Sequence, residues 1–93
     1  MQEPKADPAA LSDRLRELRH HQKWSLDDLS KEMATRYGLF RTRQNLHQHE
    51  TGSRIPSSTA VAGYCRVYNL NTEESQELYK LAGYVVVFAV EEG

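Results

Sequence analysis

A single cysteine, Cys65, is all that the 93 residues hold, so no internal disulfide can staple the fold and redox chemistry lacks a second thiol. Stability must then come from packing, helped if need be by a second subunit. Long hydrophobic runs are missing too. Nothing approaches the roughly 18 apolar residues of a membrane span, the mean hydropathy is -0.72, and the stretch from Met1 to Ala10 is polar and proline-containing rather than signal-like. The expectation is a soluble cytoplasmic chain with no membrane partner. No Ser-His-Asp or Cys-His arrangement, phosphate-cradling glycine loop or pair of acids in an evident cleft is legible, which makes an enzyme the weakest class and leaves no cofactor to expect. Four histidines include His20-His21 and the alternate pair His47 and His49. Adjacent or alternate residues on a helix point apart and no cysteine lies nearby, so no metal site is expected.

What is present fits one modest core: 39% of the residues are hydrophobic, enough for a single compact domain over 1–83 with a short tail over 84–93. The net charge of -1 looks wrong for a nucleic-acid binder until its distribution is read. Between Arg36 and Arg54 stand four arginines (Arg36, Arg41, Arg43, Arg54) against one acid, Glu50, whereas Glu73, Glu74, Glu77, Glu91 and Glu92 load the C-terminal third. One end favours phosphate and the other avoids it.

Hydrophobic spacing predicts five helices. Asp7-Pro8 reads as a cap with proline in the first turn, followed by Leu11, Leu15 and Leu18 at helical intervals to about Gln22. Ser25 with Asp28 forms a capping box for a second helix, whose stripe of Leu26, Leu29, Met33 and Tyr37 ends at Gly38. After the connector Leu39-Phe40-Arg41, Thr42 caps a third helix from Arg43 to about Glu50 that carries one aliphatic side chain, Leu46. A fourth starts near Ser57 or Ser58 and buries Val61, Tyr64, Cys65 and Tyr68, with Cys65 expected to serve as core rather than as a reactive thiol. Thr72 is the expected cap of a fifth, with Leu78 and Leu81 inward before Gly83. Trp24 is expected to plug the corner between the first two helices.

The tail changes character. Val85, Val86, Val87, Phe88, Ala89 and Val90 are β-branched or apolar and too few for a useful helix, so they predict one short strand. A lone strand needs an edge to pair with. The same strand in a second copy is the simplest partner, which makes Val85, Val86, Val87, Phe88 and Val90 candidate dimer residues. A tucked internal strand and the stub of a longer chain are the alternatives.

A polar helix capped at its N-terminus and preceded by another helix across a tight connection suits the major groove, about 12 Å wide, which admits one helix. Gln44 and Asn45 have the donor and acceptor pattern for adenine and Arg43 that for guanine. At this point the sequence resembles a known family. Arg19, Leu29, Thr42-Arg43-Gln44-Asn45-Leu46 and the run Glu50-Thr51-Gly52-Ser53-Arg54-Ile55-Pro56 resemble the lambda-repressor and Cro-like (XRE-type) helix-turn-helix proteins, over Leu11 to Gly83. The closing Leu78 to Tyr84 is similar to the last helix of longer bacterial members.

The resemblance implies an all-α, five-helix repressor-like helix-turn-helix domain, to which the tail adds a short C-terminal β-strand. It further implies that Arg43, Gln44, His47 and Gln48 face bases, that Asn45 contacts either base or backbone, and that Ser25, Arg41, Thr42, Ser53 and Arg54 hold phosphate. It pairs Arg19 with Glu50, joining the first helix to the end of the reading helix. Two features depart from the family pattern. The segment from Ala34 to Thr42 is longer than usual, which fits either an extended second helix out to Tyr37 or a third helix set at an altered angle, and His49 stands where a large apolar or aromatic residue is usual. The expected function is sequence-specific binding of double-stranded DNA by a homodimer, as a repressor acting by occlusion because no effector domain is legible. The rival readings are a protein-interaction module and the antitoxin of a toxin-antitoxin pair, each using the tail to hold a protein partner.

Overall fold

Asp7 stops being a loop residue at its side chain: Oδ1 accepts from the N–H of Ala10 over 3.1 Å, and Pro8 in the first turn has no amide to leave unpaired. From there a computed structural model, which describes residues 6–84, folds into five helices in the order α1 (Pro8–His21), α2 (Leu26–Tyr37), α3 (Arg43–Thr51), α4 (Ser58–Val67) and α5 (Thr72–Leu81). The α2 start is a reciprocal capping box between Ser25 and Asp28, and its end is Gly38 in the left-handed conformation, with φ of 64°. Thr42 caps α3 by accepting from the N–H of Asn45, and Gly52 closes it with φ of 80°. These are the punctuation marks that the sequence offers.

One cap differs. Asn71, not Thr72, precedes α5, and it forms a capping box with Glu74 while Thr72 becomes the first helical residue. Both residue types cap well, but only Asn71 has a glutamate three positions on that can return the hydrogen bond. The inward face of α5 also shifts: Leu78 and Ala82 are buried, whereas Leu81 is only partly covered. Cys65 is half-buried rather than enclosed, and that burial pushes its thiol pKa up, away from the reactive thiolate.

Leu11 and Leu15 of α1, Leu29 and Met33 of α2, Leu46 of α3, Val61 and Tyr64 of α4 and Leu78 of α5 meet in one core. Burying a leucine of this kind fully is worth about 2 kcal/mol relative to leaving it in water. α1 packs on α3 and α5, while α2 packs on α3 and α4. Trp24 sits at the α1–α2 corner and stacks on Tyr68, centroid to centroid 6.0 Å. The extended α2 does reach Tyr37, whose hydroxyl donates to the Arg66 carbonyl at the end of α4 over 3.1 Å. No strand occurs among the described residues. The expected strand, with Val85, Val86, Val87, Phe88 and Val90, lies outside them.

Candidate nucleic-acid interface

A helix with one aliphatic residue can be held only along a narrow line. Leu46 fills that line and is fully buried in the core. The far end of α3 is fixed by charge instead. Glu50 is 3% exposed, and the Arg19 guanidinium on α1 grips its carboxylate with Nε donating to Oε2 over 2.8 Å and an Nη2 donating to Oε1 over 2.9 Å. The remaining Arg19 amine donates to the Trp24 carbonyl over 2.9 Å, and Arg16 donates to the Glu50 carbonyl over 2.6 Å. The pairing holds the Arg19 pKa above its ordinary value, the hydrogen bond to Glu50 being the largest cause. Such a planar fork fixes orientation as well as position.

His49 adds a third anchor, which the sequence shows only as an oddity. Its ring is buried and its Nδ1 shares a 2.8 Å hydrogen bond with the Tyr64 hydroxyl of α4. Burial first, then the nearby Arg41 and Arg54 charges, hold the imidazole pKa down to about 4, so the ring is neutral at physiological pH. Burial raises the Tyr64 pKa as well, which keeps the hydroxyl protonated. The place of a large apolar residue is thus taken by a ring whose Nδ1 is paired inside the fold.

With Leu46, His49 and Glu50 turned inward, the opposite face of α3 is open. Arg43, Gln44 and His47 are exposed there and, with Leu26 of α2, line a shallow groove. Asn45 and Gln48 are set back: both are half-covered, and Gln48 Oε1 is shut off from solvent without a hydrogen-bond partner. The phosphate candidates fall at the two ends of the helix. Arg41 and Thr42 precede its N-terminus, where free amides add partial positive charge, and Ser53 and Arg54 follow its C-terminus on the exposed loop. Ser25 is exposed but occupied, its N–H donating to Asp28 Oδ2 over 2.9 Å and its Oγ accepting from Asp28 N–H over 3.0 Å. The same amide holds the Asp28 pKa below its ordinary value.

Asp27, beside that cap, was not legible as part of the site. Its carboxylate lies 3.9 Å from Arg43 Nε, both side chains being well exposed. A pair this open is worth little in itself. An acid here nevertheless works against phosphate at the α2 N-terminus. The sequence signal was present, since Asp27 follows the cap directly, but first-turn acids are ordinary helix chemistry.

An open polar helix braced by a second helix, with arginines before and after it, matches what a family comparison finds. The model of the helix-turn-helix domain matches residues 10–78. The chain belongs to the helix-turn-helix domain family. That match spans α1 through most of α5 and is consistent with the lambda-repressor and Cro-like resemblance. Among curated proteins and solved structures, none matches the chain. Membership of a helix-turn-helix family makes DNA the partner class and transcription regulation the setting. Among the described residues no helix is long and apolar enough to cross a membrane.

Proposed function

We propose that this chain is a sequence-specific binder of double-stranded DNA that acts as a transcriptional repressor, as a dimer on a palindromic operator. The observation that carries the reading is the orientation of α3: Leu46, His49 and Glu50 are buried, and Arg43, Gln44 and His47 are left on the open side. In this reading Arg43 and Gln44 take base edges from the first turn, with His47 one turn further along the groove. Asn45 supports the entering end, and Gln48 reaches bases only if its buried carbonyl turns outward. Arg41, Thr42, Ser53 and Arg54 hold the backbone on either side.

The dimer rests on sequence, since residues 84–93 combine an apolar run with no internal partner strand legible elsewhere. Two copies related by a two-fold axis would set reading helices about 34 Å apart, one turn of DNA. Selection from random duplex DNA at physiological salt is the test. The expected result is enrichment of a palindrome with two half-sites, whereas binding that is weak on every duplex and vanishes with added salt would leave the helix-turn-helix as a scaffold for protein partners.

A further inference from the structure

The turn between α2 and α3 carries a side chain for which the reading face does not account. Phe40 is 78% exposed, although Tyr37 and Ile55, the other exposed large apolar residues among those described, are half as open. The backbone on both sides of it is nevertheless pinned. On one side Leu39 turns into the core, its N–H donating to the Met33 carbonyl over 3.0 Å. Its Cδ1 occupies the space beside Gly63, where any added Cβ would stand 2.8 Å away. On the other side Ser30 Oγ donates to the Arg41 carbonyl over 2.7 Å, and Thr42 at once opens α3. A slack loop could fold the ring against the body; this one holds it in water and forgoes the burial of a large apolar side chain.

We propose, resting on the DNA-binding reading above, that Phe40 is a base-reading residue whose ring packs on the C5-methyl group of a thymine at the edge of each half-site. Three features support DNA as the occupant. Phe40 lies two residues before the α3 cap, so at most about 7 Å of extended chain separates it from the end that enters the groove. Arg41 and Arg43 follow it within three residues, and their charge draws a polyanion, not an apolar protein surface, towards the ring. The thymine methyl is the apolar group that the major groove displays, and a phenyl ring is among its partners. The shallow groove beside Phe40, lined by Ser30, Ala34, Arg41 and Thr42, leaves room for the neighbouring backbone.

The test uses the best duplex selected by the wild-type chain, with each thymine replaced in turn by deoxyuridine, which removes the methyl group and keeps the base pair. Wild-type protein should lose about three- to five-fold in affinity at one thymine per half-site, the worth of a buried methyl group. Phe40→Ala should bind the unmodified duplex about ten-fold more weakly and no longer distinguish thymine from deoxyuridine at that position, with an unchanged melting temperature. Phe40→Leu should keep part of the discrimination. Full discrimination by Phe40→Ala, or unchanged affinity, overturns the assignment, as does a loss of dimer mass, which would put the ring in a protein interface. Absence of any preferred duplex for the wild-type chain would remove the DNA-binding reading itself; indifference of the Phe40 variants on a preferred duplex removes this inference alone.

Discussion

His49 shows how one side chain joins α3 to the scaffold. A protonated imidazole there would lose hydration and face Arg41 and Arg54, which is why its pKa falls from the ordinary 6.5 to about 4. The unfolded chain takes up a proton as pH drops below about 6.5, while the folded chain resists until about 4. Stability is therefore full above 6.5 and falls by about 2 kcal/mol between 6.5 and 4, allowing for solvent screening near the arginines. Denaturant titrations across that window check this. His49→Phe should remove the pH dependence but leave the buried Tyr64 hydroxyl unpaired, at about 1–2 kcal/mol, and adding Tyr64→Phe should recover much of the loss because both polar partners then go together. From sequence alone His49 reads as a misfit, because its partner stands on another helix and no local pattern announces a pair fifteen positions apart.

At the scale of elements, the placement of α3 depends on the grip of Arg19 upon Glu50. Both are largely buried, with side chains 14% and 3% exposed, and a buried pair broken on one side leaves a charge that nothing compensates. Arg19→Met should cost about 3–5 kcal/mol in chemical denaturation, while Arg19→Met combined with Glu50→Leu should be much closer to wild type. If the single and double variants are equally unstable, the pair is not what seats the helix. The boundaries of these elements were largely legible because each is written in residues that cap or break: Asp7-Pro8, Ser25 with Asp28, Gly38, Thr42, Gly52. The fifth helix begins one residue earlier than its sequence suggests, since Thr72 is itself a good cap and the glutamate paired with Asn71 decides between them. What could not be read was depth. Asn45, Gln48 and Leu81 follow the right periodicity, yet their exposure depends on how neighbouring helices cross.

For the molecule as a whole, charge is unevenly divided along the chain. Arg41, Arg43 and Arg54 gather around α3, and Glu73, Glu74 and Glu77 lie on α5, so a near-neutral net charge conceals an uneven distribution, which the proposed function puts against phosphate at its basic end. Binding should therefore weaken steeply with salt, and Arg54→Ala should weaken all duplexes alike and reduce the slope by about one. Light scattering at micromolar concentration should give twice the chain mass, and a clean monomer would remove the symmetric operator from the account. Whether α3 reads sequence is decided by titrating wild type and Gln44→Ala on the selected duplex and on a random one at the same salt. The expected loss is roughly 1–3 kcal/mol on the selected duplex and almost none on the random one. Equal losses on both would show that Gln44 holds backbone only and that the open face of α3 does not read bases as described.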